Sequence, residues 1–275
     1  MIKTLVNGKP LDEVSVFDRG LSFGDGLFET LAVLDSAPCL WERHLARLVD
    51  GCKRLMLPQP DLFTLEQEVQ QLLESAGSSI LKIIITRGIS QRGYAVPDQI
   101  EPTRILALFP WDGPDQSHGA LRLTLCRQTL APSAFAGIKH LNRLEQVMGR
   151  AEWHQEFAEG LMCDRSGHVV EGTMSNIFIE KEGRIFTPEL NECGVAGVVR
   201  GLILDAGEQL GHPVRQTRLR IEDVYAADAL YITNSLLGVR RVTHLLGKTW
   251  ALRAPWHPLM SFAQQHAFDK TQSPC

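Results

Sequence analysis

GIKHLNRLEQV, residues 137 to 147, sets one lysine in an apolar segment with polar side chains crowded directly behind it. Lys139 is the residue to explain. A free lysine amine has a pKa of ~10.4 and is a weak nucleophile near neutrality unless burial, a neighbouring cation or attachment to a carbonyl changes its state. Taken alone, the segment favours the commoner condition of a lysine, a solvated charge on a loop. What alters that balance lies elsewhere in the chain.

Three further clusters carry chemistry. In VVEGTMSNIFIE (169–180), Glu171 closes a strand-like run and Gly172 opens a break before a second apolar run. A carboxylate beside a ring nitrogen holds that nitrogen protonated, as an electron-sink cofactor requires. The plainer account of the same residues is a hairpin glutamate facing water. In GVAGVVRGLIL (194–204), Gly194 and Gly197 precede a helix expected to start near Val198. Glycines ahead of a helix N-terminus let backbone N–H groups approach a phosphate, although a lone Gly-x-x-Gly is often only a turn. In HLARL (44–48), Arg47 follows an apolar helical face, where its forked donors suit a phosphate or a helix-surface ion pair.

Taken in order, FGDGLFET (23–30), HLARL, GIKHLN, EGTMSNIF and GVAGVVR resemble the motifs of the fold-type IV pyridoxal-phosphate enzymes. That family includes branched-chain and D-amino-acid aminotransferases and aminodeoxychorismate lyase. The resemblance runs over most of the chain, and five motifs in register outweigh the plainer account of each. It implies an enzyme of two domains that binds pyridoxal 5′-phosphate and forms a homodimer. Lys139 becomes the catalytic Schiff-base lysine and Glu171 the partner of the pyridine nitrogen. Arg47 and the backbone N–H groups of Val198 and Val199 become phosphate ligands, and Asn234 and Ser235 in YITNSLLG (231–238) match positions that contact cofactor or phosphate.

Within the family, KHLNRLEQV and TRGISQRGY (86–94) are most similar to aminodeoxychorismate lyase. Arg92 falls where D-amino-acid aminotransferases carry a substrate-carboxylate arginine, and Tyr94 where they carry a neighbouring histidine. Phe28 is assigned as a third substrate contact. Arg143 stands where aminotransferases often carry a tyrosine that touches the cofactor. A forked arginine suits a planar carboxylate, and the lyase substrate, 4-amino-4-deoxychorismate, has two. The implied reaction eliminates pyruvate and leaves 4-aminobenzoate, the aromatic part of folate. A D-amino-acid or branched-chain aminotransferase is the alternative.

The remaining sequence agrees with such an enzyme. MIKTLVNG, FGDGLFETLAVLD, LKIIITRG and TRILALFP read as strands, and LWERHLARLVDGCKRLM as an amphipathic helix with Leu45, Leu48, Val49 and Cys52 on its apolar face. LFTLEQEVQQLLESAG reads as a helix running to Gly77, and RGLILDAGEQLG as one ending at Gly211. These elements predict an α/β (mixed α+β) fold. WDGPDQSHGA has the composition of a connection, so residues 1–112 are expected to form a smaller α/β domain, 113–119 a linker, and 120–275 a larger cofactor-binding domain. The resemblance adds a barrel-like β core to the second.

A net charge of −4 with scattered basic residues leaves no electrostatic footprint for nucleic acid or an anionic membrane, so a small-molecule substrate and a second copy of the chain are the expected partners. The six cysteines are far apart and read as reduced thiols rather than a metal site or disulfide framework. MIKTLVNGKP lacks the apolar core of a secretion signal, and no run approaches the ~20 apolar residues of a membrane span, which points to a soluble, cytoplasmic protein.

Overall fold

A computed structural model of the chain describes residues 3–74, 76–96, 98–99, 101–115, 119–251 and 255–271. Its mixed α/β architecture is the one expected, and it divides into two compact units. The first takes the described residues up to Gly113 together with Ile138–Asn142 and the segment from Phe268. The second takes Pro114–Gly137 and Arg143–Ala267. The Lys139 segment and the C-terminal segment therefore lie with the first unit, although their positions along the chain suggest the second. Of the expected linker, residues 116–118 lie outside the described residues.

The first unit runs β1 (Lys3–Val6), α1 (Arg19–Phe23), β2 (Gly26–Leu34), β3 (Ala37–Pro38), α2 (Trp41–Arg54), α3 (Leu62–Leu73), β4 (Ser79–Thr86) and β5 (Thr103–Pro110). Its antiparallel sheet has the order β1-β5-β4-β2-β3. Side chains alternate across a strand. Leu27, Leu31, Leu81, Ile83, Ile85, Leu106 and Leu108 fall on one face and form a core with Trp41, Leu45, Leu48 and Cys52 of α2 and Leu65, Val69 and Leu72 of α3. Burying each such side chain stabilises the fold by about 1.5–3 kcal/mol. Val49 is only half-buried; His44 takes a buried place on α2 instead. Helix α3 starts at an Asp61 cap, which accepts the Thr64 N–H, and stops at Leu73, short of the expected Gly77.

On the opposite face, Phe28, Thr30, Ile80, Lys82, Ile84, Ile105 and Ala107 are only half-buried. The Ile138–Asn142 segment extends this sheet beside β2. Leu27 and His140 form an antiparallel bridge, the Phe28 N–H donates to the Lys139 carbonyl at 3.0 Å, and the Leu141 N–H donates to Gly26 at 3.0 Å. That register sets Lys139 across from Phe28 on the open face, while Ile138 turns into the core.

The second unit runs β6 (Arg122–Leu130), α4 (Leu144–Arg150), β7 (Glu159–Asp164), β8 (His168–Gly172), β9 (Asn176–Lys181), β10 (Arg184–Pro188), α5 (Val198–Gln209), β11 (Arg215–Thr217), β12 (Leu219–Arg220), α6 (Ile221–Tyr225), β13 (Ala229–Asn234), β14 (Gly238–Arg241), β15 (His244–Leu245), β16 (Lys248–Thr249) and α7 (Pro258–His266). Two sheets, β11-β10-β9-β13-β14 and β12-β8-β7-β6-β15-β16, share one apolar core. Leu123, Leu161 and Val169 enter it from one sheet, and Ile177, Ile179, Leu230 and Ile232 from the other. This is the barrel-like core the resemblance implies. Helix α5 starts at Val198, as expected from its glycines, and ends at Gln209.

Among the described residues no helix is long and apolar enough to cross a membrane. Cys39, Cys52, Cys126, Cys163 and Cys193 are free thiols, and burial pushes their pKa values up to about 11 or 12. Thiols held so fully protonated are inert at neutral pH.

Candidate active site

In the first unit the Lys139 amine lies 4.3 Å from the centroid of the Phe28 ring, within reach of a cation–π contact. Lys82 of β4 approaches the same ring at 5.5 Å. Strand register explains the meeting: Thr30 pairs with Lys82 and Phe28 with Ile84, so Phe28, Thr30, Lys82 and Lys139 share the open face. Asn142 fixes the far end of the lysine segment by donating from Nδ2 to the Gly24 carbonyl at 2.9 Å. Gly24 has φ 64°, and a Cβ there would come within 2.6 Å of the Asn142 side chain. The glycine of FGDG thus admits the asparagine of GIKHLN.

Arg47 lies behind β2, engaged by a residue that sequence reasoning missed. Glu29, 2% exposed, accepts Arg47 Nε at 2.8 Å on one oxygen and Arg47 Nη2 on the other. His44 Nδ1 meets the same carboxylate at 2.6 Å. Burial opposes the Glu29 charge, yet the Arg47 charge and the bonds from Arg47 and His44 prevail and draw its pKa down to about 2. Burial holds His44 below the ordinary histidine value, so a neutral ring donates from Nδ1 to the ionised Glu29. A signal was available in GLFETLAVL, where the alternation that buries Leu27 and Leu31 also turns Glu29 inward.

Arg92 and Tyr94 are exposed on the loop after β4, Tyr94 at 83%, with its ring 5.2 Å from that of Phe23. The structure does not bring them into the Lys139–Phe28 pair.

In the second unit three separated motifs converge. Glu171 of β8, 4% exposed, accepts the Val195 N–H at 2.8 Å on one oxygen and Gln146 Nε2 at 3.4 Å on the other. Asn176 of β9 clamps the same glycine loop, donating to Val195 O at 2.8 Å and accepting the Gly197 N–H at 3.1 Å. A Cβ on Gly197 would lie 2.0 Å from Asn176 Oδ1, so that position requires glycine. Val198 and Val199 then open α5, where the first N–H groups of a helix have no intrahelical acceptor. Asn234 spends its amide oxygen on the N–H groups of Leu236 and Leu237 and its nitrogen on Met174 O at 3.2 Å. It thereby ties the loop carrying Ser235 to the turn that follows Glu171.

Glu159 is a second residue that sequence reasoning missed. Only 2% exposed, it accepts Thr173 N, Thr173 Oγ1, Met174 N and Ser175 Oγ, and so shapes the EGTMS turn from beneath. No local pattern marks it, since its acceptor role depends on the β7–β8 register. Arg143 occupies the N-cap position of α4 without a side-chain cap bond. A buried carboxylate joined through one short loop to a helix N-terminus is a donor set suited to a protonated nitrogen heterocycle bearing a phosphate.

A family model for class IV amino-transferases matches residues 26–245, a span that includes Phe28, Glu29, Arg47, Lys82, Arg92, Lys139, Glu171, Val198, Val199 and Asn234. The chain belongs to that family. The crystal structure of 4-amino-4-deoxychorismate lyase from Pseudomonas aeruginosa superposes on the chain with a TM-score of 0.88 at 42% identity, covering 95% of this chain and 97% of the other. Aminodeoxychorismate lyase of Vibrio harveyi is 34% identical over 86% of this chain and 89% of its own length. A putative branched-chain-amino-acid aminotransferase of Methanocaldococcus jannaschii is 29% identical over 90% of this chain and 89% of its own.

Proposed function

We propose that this protein is a pyridoxal-phosphate-dependent 4-amino-4-deoxychorismate lyase, releasing pyruvate and 4-aminobenzoate. The observation that carries this reading is the open face of the first sheet, where the Lys139 and Lys82 amines flank one aromatic ring. An amine that moves a proton, a second amine that attracts carboxylate, and a flat apolar wall suit a cyclic amine with two carboxylates. The two lyase relatives support the same choice.

When bound, pyridoxal phosphate supplies the carbonyl that takes up the substrate amine and the ring that accepts an electron pair. The chain does the rest. Arg47 and the N–H groups of Val198 and Val199 bind the phosphate, with Asn234 and Ser235 shaping the adjoining loop. Glu171 holds a proton on the pyridine nitrogen. Lys139 Nζ removes the proton from the amine-bearing carbon of the substrate. Loss of that proton and departure of the enolpyruvyl oxygen leave an aromatic ring, which makes the elimination effectively one-way. Phe28 lines the substrate ring and Lys82 receives one carboxylate, while the family resemblance, rather than proximity to Lys139, assigns the other to Arg92 with Tyr94 beside it.

As in the family resemblance, the working form is a homodimer. Exposed Val16, Phe17, Leu21, Ile89 and Val96 in the first unit offer apolar surface for a second copy. The cytoplasm is its compartment, in keeping with the protonated free thiols.

An aminotransferase would use the same lysine and carboxylate but needs a keto-acid half-reaction. Incubating the holoenzyme with D-alanine, branched-chain amino acids and 2-oxoglutarate separates the two. The lyase reading expects negligible glutamate beside rapid 4-aminobenzoate release from aminodeoxychorismate; rapid glutamate formation without 4-aminobenzoate would replace it with transamination.

A further inference from the structure

We propose that Arg19, outside every motif discussed above, is the positioning residue that holds Arg92 and Tyr94 in place for substrate. This rests on the reading that those two side chains meet the substrate. Residues 88–96 form neither helix nor regular strand, and from Gln91 to Val96 every residue is exposed. Such a loop has no core of its own to fix its shape. Beneath it lies the Arg19 side chain, 4% exposed.

One guanidinium gathers the loop. Arg19 Nη1 donates to Ser90 Oγ at 3.0 Å, to Gly93 O at 3.2 Å and to Ala95 O at 3.2 Å, and Nη2 donates to Tyr94 O at 3.2 Å. Three successive carbonyls, those of Gly93, Tyr94 and Ala95, thus converge on a single planar fork. Arg92 directly precedes them on the same curl of backbone, in which Gly93 has φ 103°. The guanidinium carbon also lies 4.9 Å from the Phe23 ring centroid, and Tyr94 packs on that ring. A lysine has no fixed fork and cannot reproduce such a fan of donors.

The anchor is itself anchored. Asp25 Oδ2 accepts Arg19 Nε at 2.9 Å and Arg87 Nε at 2.7 Å, and Arg87 donates onward to the Leu55 and Met56 carbonyls at the end of α2. Asp25 follows Gly24, whose carbonyl receives Asn142 of the lysine segment. A continuous path of hydrogen bonds and short backbone steps therefore links the Lys139 segment to the loop bearing Arg92.

The test uses full-length protein reconstituted with pyridoxal phosphate, as Arg19→Lys, Arg92→Gln and the double variant. For Arg19→Lys the expectation is a KM for aminodeoxychorismate raised about tenfold, with kcat within about twofold and an unchanged visible absorbance band. Tryptic cleavage after Arg92, mapped by mass spectrometry, should accelerate. In the Arg92→Gln background, Arg19→Lys should raise KM little further, because the two act as one unit. Additive effects on KM, or unchanged cleavage at Arg92 in the single variant, would overturn the proposal. If Arg92→Gln leaves KM unchanged while Arg19→Lys still loosens the loop, the substrate role of Arg92 fails and Arg19 stands only as a loop anchor. Ser90→Ala, which deletes one acceptor at the surface, repeats the test should Arg19→Lys not fold, with the same signs and about a twofold change.

Discussion

On one face of β2, Leu27, Glu29 and Leu31 are 2%, 2% and 0% exposed; on the other, Phe28 and Thr30 remain half-buried beside Lys82 and Lys139. Both faces hold charge, in opposite ways. Inside, one carboxylate is matched by Arg47 and His44 so closely that none of the three can change state cheaply. Outside, two amines lie against an aromatic ring, a setting in which a lysine can exchange one partner for another. Alternation along a single strand thus separates a buried carboxylate that holds Arg47 in place from amines on the open face that are available to substrate.

Substitutions on the two faces should therefore fail differently. The largest effect is expected for Lys139→Ala: kcat falls by at least about 10³-fold in a steady-state assay while the thermal midpoint barely moves. Full turnover in this variant would remove Lys139 from the centre of the account. Glu29→Gln should do the reverse first, lowering stability in denaturant titration by about 3–5 kcal/mol, because it strands the Arg47 charge behind the strand.

The same residue carries a pH signature. The Glu29 pKa is drawn from 4.5 to about 2 in the folded protein, so its contribution is full above pH 4.5 and is lost as pH falls toward 2. Acid unfolding of Glu29→Gln should be correspondingly flatter across that window; an unchanged acid limb would break the contrast between faces. Smaller still, Lys82→Gln should raise KM for aminodeoxychorismate about tenfold with an unchanged thermal midpoint. Phe28→Leu, which keeps an apolar wall but removes the ring under both amines, should cost about two- to fivefold in kcat/KM.

The start of α5 is legible from the glycines ahead of it, and Lys139 and Glu171 stand out as candidates only because their segments belong to five motifs in register, each segment alone favouring a plainer reading. Glu29, Glu159, Lys82 and Arg19 are not legible, because what makes each matter is a partner brought close by strand register or a loop path. The Glu29 carboxylate acquires meaning only when α2 sets Arg47 and His44 against β2. Lys82 requires the pairing of Thr30 with Lys82 to reach the Phe28 ring. Asn142, which looked like part of a lyase signature, supports its segment through Gly24. The end of α3 was misplaced because its helical period carries on past Leu73, whereas the backbone turns extended at Glu74, with ψ 114°.

Product stoichiometry tests the central claim most directly. Purified holoenzyme mixed with 4-amino-4-deoxychorismate should release 4-aminobenzoate and pyruvate in equal amounts, without a keto-acid acceptor, and the Lys139→Ala protein should release neither. Wild-type protein that yields no pyruvate from this substrate, yet converts amino acids and 2-oxoglutarate to glutamate, would contradict the account.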